Sequence, residues 1–235
     1  MKPKTIATVC ARGGSKGLPG KNIRSFAGRP LIVHTLLQAL RCEHIVGVYV
    51  STDDPQIAEI ARATGALVPY LRPAELATDD APKLPAIEHL VRHLEAEGAS
   101  IGRVVDLQPT SPLRTSGDIE AALALRADAE LVVSVTEARD NPYFNLAEEQ
   151  PDGSLRLCKG GGAGRRQDTP PVYALNGSIY VWQRAALARA AEHGVWSVRS
   201  VPYRMPHWRS VDIDDLEDFE YAEWLHGRHG GGDVR

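Results

Sequence analysis

The sequence predicts an α/β fold: a three-layer sandwich around a Rossmann-like, mostly parallel sheet, with a small arm set apart from it. Short β-branched apolar runs alternate with segments of helical spacing, which places helices on both sides of a sheet. Several of those runs are apolar throughout rather than at every second residue, as strands covered on both faces are. The chain has 235 residues, 43% of them hydrophobic, enough for one full core.

The elements follow in order. Residues 5–10 read as the first strand, and a glycine-rich loop comes directly after it. Residues 30–40 have helical spacing, with Pro30 suited to a first turn. Residues 45–51 read as a second strand. Residues 54–64 read as a helix, capped by Asp54 and stopped by Gly65. Residues 84–97 form another helix, closed by Gly98. Residues 104–107 and 131–135 are continuous apolar strands; Asp106 inside the first of these needs a buried partner. Residues 140–175 break the alternation with Asn141, Pro142, Gln150, Pro151, Gly153 and Gly160-Gly161-Gly162, and form either an arm outside the sheet or a surface loop. One domain is expected over residues 1–228, with a flexible tail at 229–235.

Composition excludes several classes. A formal net charge of −3 offers no global basic field for nucleic acid. Cys10, Cys42 and Cys158 are too few and too scattered for a disulfide framework or a zinc site. No stretch is long enough for a membrane span or a signal peptide, so a cytoplasmic protein is expected. The eight histidines are expected to be surface or structural residues.

The strongest chemical signal is Ala11-Arg12-Gly13-Gly14-Ser15-Lys16-Gly17-Leu18-Pro19-Gly20-Lys21-Asn22. It follows the first strand, where ligands of open α/β sheets gather. Its glycines let backbone N–H groups turn toward a ligand, and Arg12, Lys16 and Lys21 add three cations. Together these suit a triphosphate. The spacing is neither a Walker A loop nor a dinucleotide fingerprint; a solvated glycine loop is the plain alternative.

Asp212 and Asp214 are the metal candidates. Residues two apart on an extended segment share a side, and two carboxylates with phosphate oxygens and water suit Mg²⁺ (or Mn²⁺). The alternative is an acidic helix start shared with Asp215, Glu217 and Asp218, and Asp215 and Asp218 fit that reading better. Gln108, at the end of the central strand, can donate and accept toward sugar hydroxyls, or Gln108-Pro109 simply ends the strand. Arg114 would bind a carboxylate or pin the loop; pinning is the expected role.

These residues resemble the acylneuraminate cytidylyltransferases, the CMP-sialic acid synthetases, whose relatives activate legionaminic and pseudaminic acids. The resemblance rests on the residue 11–22 block and continues in order. It runs through Ser51-Thr52-Asp53-Asp54, then Arg72-Pro73-Ala74-Glu75-Leu76-Ala77 with Asp79, then Gln108-Pro109-Thr110-Ser111-Pro112-Leu113-Arg114. It closes with Arg166-Gln167, Tyr173, Asn176-Gly177-Ser178-Ile179-Tyr180, Asp212-Ile213-Asp214 and Asp218-Phe219, so it spans residues 4–225.

The resemblance implies transfer of CMP from CTP to the anomeric hydroxyl of a 2-keto sugar acid, with release of pyrophosphate. It implies Arg12, Lys16 and Lys21 as catalytic cations. Ala11, Arg12, Gly13, Gly14, Ser15, Asn22 and Arg72 would bind the nucleotide, Arg72 reading the cytosine edge unless it is a surface salt bridge. Gln108, Arg166 and Tyr173 would bind the sugar acid, the last two from a dimerisation arm that reaches a second subunit, so a homodimer is implied. Lys83, where many relatives carry a small hydroxyl residue, and the loose run 160–164 depart from the pattern and bear on which sugar acid is used. Two rival readings stand beside this one: a nucleotidyltransferase using a sugar 1-phosphate and another NTP, and a non-catalytic nucleotide-binding protein.

Overall fold

The computed structural model describes residues 3–15, 17–78, 80–125, 128–160 and 164–229. Lys16, Asp79, the middle of the glycine run (161–163) and the tail at 230–235 lie outside the described residues. A six-stranded sheet runs in the order β10-β6-β9-β5-β1-β4. Its strands are β1 (Lys4–Cys10), β4 (Val48–Ser51), β5 (Ile101–Leu107), β6 (Leu131–Glu137), β9 (Tyr173–Gln183) and β10 (Ser200–Arg204). β1 pairs in parallel with β4 and β5, and β6 with β10. β9 runs antiparallel between β5 and β6.

Alternation along the strands assigns the two faces. Ala7, Val9, Val105, Leu107, Val132, Ile179 and Val181 pack with α1 (Leu31–Leu40), α2 (Pro55–Thr64) and α4 (Ser116–Ala124). Ile6, Val104, Leu131, Val133 and Trp182 face α3 (Lys83–Ala96) and α5 (Arg184–His193). The strand expected over 45–51 begins three residues later. Ile45 is instead in a turn closed on the Cys42 carbonyl, and Val46 donates to Thr5 before the ladder starts.

Local signals act as the sequence indicates. The Asp54 side chain accepts from the N–H groups of Gln56 and Ile57, Pro55 opens α2, and Gly65 ends it at φ 101°. Asp54→Ala should cost about 1 kcal/mol of stability, the usual worth of such a cap; urea unfolding measures it.

The 140–175 excursion is built structure rather than a bare loop. β7 (Ala147–Glu149) and β8 (Leu155–Leu157) form an antiparallel hairpin outside the main sheet. A second small ladder, β2 (Ser25–Phe26) with β3 (Arg29–Pro30), follows the first loop.

α6 (Leu216–His229) packs against β2, the start of α1 and neighbouring loops. Phe219, Ala222 and Leu225 meet Leu18, Phe26, Leu31, Leu113 and Ile213. Asp218 accepts from the N–H groups of Asp214 and Asp215, and Asp215 from that of Asp218, so both cap this helix as expected. His34 of α1 is 1% exposed, bonds the Phe26 carbonyl and lies edge-on to His226 of α6. Burial, with His226 and Arg29, lowers the His34 pKa below the ordinary 6.5 despite the Phe26 bond. The unfolded chain therefore takes up the proton first, and stability should fall as pH drops below 6.5. Thermal melts of wild type and His34→Leu between pH 7 and 5 measure this; the variant should lose less of its melting temperature over that range.

Candidate active site

The loop after β1 is held from three sides. The Gly13 N–H donates to Asp53 Oδ1 at 3.1 Å, and Asn22 Nδ2 to the Arg12 carbonyl at 3.1 Å. Ala11 N–H bonds the Ser51 carbonyl at the end of β4. Lys21 is 9% exposed and donates to the Ile213 carbonyl and to Asp214 Oδ1, the latter at 3.2 Å. Gly17 is required where loop and acidic segment meet, because a Cβ there would run into the Asp214 carbonyl.

The acidic segment reaches the other side of the cleft. Asp212 accepts from Gln108 Nε2 at 2.7 Å and from Thr110 Oγ1 at 2.5 Å. Burial raises its pKa, and the bonds from Thr110 and Gln108 oppose that rise; Asp214 adds to it, so the two carboxylates feel one another. Ile213 between them is fully buried and bonds the Thr110 carbonyl. The Asp214 side chain is 81% exposed.

A cavity of about 440 Å³ joins these parts, with Arg12, Ser15, Lys21, Asn22, Gln108 and Asp214 on its walls. Six expected site residues from three separate stretches of sequence thus meet. Asn22 Oδ1 is buried and has no partner among the described residues, an acceptor left over at the cleft wall. Gly14 is exposed on the loop, and Ala11 is buried beneath it.

Arg72 lines an adjoining cavity of about 270 Å³ with Arg12, Cys10 and Lys83. It is 8% exposed and donates to the Ser51 hydroxyl at 2.9 Å and to the Ser51 and Leu76 carbonyls. The surface salt bridge considered from the sequence is replaced by a buried, backbone-directed guanidinium.

Arg114 has the pinning role. It is 0% exposed and donates to Gln38 Oε1, the Ser178 carbonyl and hydroxyl, the Thr35 hydroxyl and the Gln108 carbonyl. Burial lowers its pKa to about 9, so it stays charged at neutral pH. Gly177 stands at φ 68°, and a Cβ there would come within 3.0 Å of Gln108 Oε1.

Arg166 and Tyr173 do not reach the cleft within one chain. They line a separate cavity of about 750 Å³ with Arg139, Arg204 and His207. Arg166 is exposed and bonds the Ala138 carbonyl, and Arg204 lies over the Tyr173 ring. Thr110 and the pair Lys83–Asp106 are also in or beside the cleft; the sequence assigned Thr110 no role, marked Lys83 as a departure bearing on the sugar acid, and did not join it to Asp106. The lone aspartate in an apolar strand was the signal for that pair.

Among the described residues no group of three or more His, Cys, Asp or Glu side chains suits a metal. Two carboxylates, one largely exposed, still fit a hard cation that keeps most of its shell as water and phosphate oxygen.

The arrangement sets a cationic glycine loop beside carboxylates and an amide, which suits transfer from a nucleoside triphosphate. A family model described as cytidylyltransferase matches residues 6–143. The chain belongs to the cytidylyltransferase family. Within that family it is 37% identical over 237 residues to a CMP-N,N'-diacetyllegionaminic acid synthase of Legionella pneumophila, covering 94% of this chain and 96% of that protein. A synthase of the same description from Campylobacter jejuni is 34% identical over 223 residues, covering 94% of each. A solved CMP:2-keto-3-deoxy-manno-octonic acid synthetase complexed with CTP matches with a TM-score of 0.72 at 17% identity, over 96% of this chain and 99% of that one. That likeness concerns the fold, which this cytidylyltransferase shares.

Proposed function

We propose that this cytidylyltransferase transfers CMP from CTP to the anomeric hydroxyl of a nine-carbon 2-keto sugar acid of the sialic or legionaminic type, releasing pyrophosphate. The meeting of the cationic glycine loop with Gln108 and Asp214 in one cleft, with Asp212 bonded to Gln108 at its wall, carries this reading, and the relatives' described substrates support it. Arg12 and Lys21, with Lys16, would neutralise the triphosphate, while Asn22 and the backbone of residues 11–15 hold the nucleotide. Arg72 would face the cytosine edge with the guanidinium protons that Ser51 and Leu76 leave over. Gln108, its carbonyl fixed by Arg114, would orient the acceptor hydroxyls for in-line attack on the α-phosphorus. Most of the rate enhancement then comes from positioning and charge stabilisation.

Asp212 and Asp214 would hold Mg²⁺ (or Mn²⁺), which would supply charge neutralisation for the pyrophosphate and a lowered pKa for the acceptor hydroxyl. Arg166 and Tyr173 would serve the acceptor pocket of a second copy, in a homodimer joined through the 140–175 hairpin. The enzyme would act in the cytoplasm. Its three cysteines are free, and no helix among the described residues is long and apolar enough to cross a membrane.

The test is pyrophosphate release. CTP with a sialic or legionaminic acid should turn over in the presence of Mg²⁺ and stop on chelation. GTP should be rejected strongly, as base-edge hydrogen bonding demands. Equal use of GTP, or preference for a sugar 1-phosphate, overturns the reading; turnover that survives chelation removes the metal from it.

A further inference from the structure

Asp106 is a carboxylate in the middle of a sheet. It sits on the α3/α5 face of β5, paired across to Thr8 of β1 and Tyr180 of β9, and is 2% exposed. Its Oδ1 accepts from Thr8 Oγ1 at 3.3 Å, and its Oδ2 lies 2.5 Å from Lys83 Nζ. Lys83 is the first residue of α3. Its stem is partly exposed, but Nζ itself is buried and, apart from Asp106, has no partner among the described residues. An ammonium carries three donors, so the ion pair leaves donors unused. Burial alone would lower the Lys83 pKa, but Asp106, with Cys10 and Tyr180, outweighs it and the pKa is raised.

The position of this ammonium is unusual. Lys83 borders the 440 Å³ cleft beside Gln108 and the Arg72 cavity. With Asp106 and Gln108 it also borders a smaller cavity of about 150 Å³ lined by Leu84, Ile87, Tyr180 and Trp182. Lys83 therefore lines both the cleft and the apolar, aromatic-walled cavity that shares Gln108 with it. Among the described residues, the cations lining the cleft are Arg12, Lys21 and Lys83. Lys21 is engaged by the Asp214 segment, and Arg12 bonds the Thr78 carbonyl. Arg166 opens into another cavity. Of the three cleft cations, Lys83 is the one that also borders the smaller cavity with Gln108.

We propose that Lys83 binds the carboxylate of the acidic acceptor, with Asp106 as the positioning residue that holds its ammonium at the junction. This rests on the reading of the cleft as a CMP-transfer site. A buried ammonium without a counter-ion would be costly to keep charged. Asp106 keeps it protonated while leaving donors for an incoming oxyanion, and the charge-assisted bond selects an acid over its neutral analogues.

The experiment separates binding from packing. Lys83→Met alone strands the Asp106 carboxylate in the core, so the informative protein is Lys83→Met/Asp106→Val, in which the pair is replaced by apolar side chains. KM for the sugar acid and for CTP are measured separately by pyrophosphate release, with the sugar acid and its methyl ester as acceptors. The double variant should raise KM for the acid by roughly tenfold or more, the scale of one charge-assisted hydrogen bond, and leave KM for CTP unchanged. The gap between wild type and variant should close with the methyl ester, and Lys83→Arg should retain more affinity for the acid than the double variant. A rise in KM for CTP instead would make Lys83 a phosphate ligand and overturn the proposal. So would a folded double variant with both KM values unchanged. Wild-type enzyme that turns over no sugar acid with CTP sinks the CMP-transfer reading as well, whereas turnover with an unmoved acceptor KM sinks this proposal alone.

Discussion

Lys21→Ala is expected to lower kcat/KM for CTP by about a hundredfold to a thousandfold, the scale of removing one preorganised donor from a developing oxyanion. The lysine is nearly buried, and its ammonium is fixed by the Ile213 carbonyl and Asp214. Its charge is therefore presented to the cleft at little ordering cost when the triphosphate arrives. Lys21→Met, which retains the apolar stem, should lose as much activity while melting close to wild type. Single-turnover kinetics with both variants separates lost chemistry from lost CTP affinity. A folded variant with unaltered kcat/KM would remove Lys21 from the mechanism.

Arg114→Met is expected to destabilise the protein by about 3–5 kcal/mol, because several buried acceptors lose their donor at about 1–3 kcal/mol each. In a chain of this size that is a fall of roughly 10 °C in melting temperature. Methionine fills part of the volume but donates to nothing. The Gln38 side-chain oxygen and the Ser178 and Gln108 carbonyls would then lose a charged donor inside the core. Arg114→Lys should recover only part of the loss, because one ammonium cannot reproduce the planar fork that spans these acceptors. Calorimetry on the three proteins decides this; a variant melting with wild type would mean that the loop is held by Pro109 and Pro112 instead. Because the Gln108 carbonyl is among the acceptors, the surviving Arg114→Lys enzyme should also show a raised KM for the acceptor.

What the sequence made legible is what is encoded locally. Asp54, Pro55 and Gly65 lie within a dozen residues of one another and delimit α2 without help from the rest of the chain. The glycine loop is likewise visible, since its cations and glycines are contiguous. The extent and central place of β9 were not legible because its own stretch is mixed, exposed at Ala174 and Leu175 and buried at Asn176 and Ser178. Only insertion between β5 and β6 turns it into a central strand. The partner of Asp106 is 23 positions away and on another element, so the need for one could be read but not its identity. For Arg166 and Tyr173 the residue types suit sugar acids, yet their place in the fold of one chain is a different cavity from the cleft. Arg72 was read as base-facing or as a surface ion pair, whereas its burial against Ser51 follows from strand β4 ending where it does.

The late arrival of β9 has a consequence for biosynthesis. This strand fills the gap between β5 and β6, but a ribosome releases it only after more than two-thirds of the chain has been made. Until then β4-β1-β5 and β6 have no hydrogen-bonded link, and the facing edges of β5 and β6 are open to pairing with other chains. Closure must wait for long-range pairing, which is slow, and the unfinished chain is correspondingly prone to aggregate. A nascent chain stalled before residue 173 should therefore be digested readily by protease, and one stalled well beyond Arg204 should resist it.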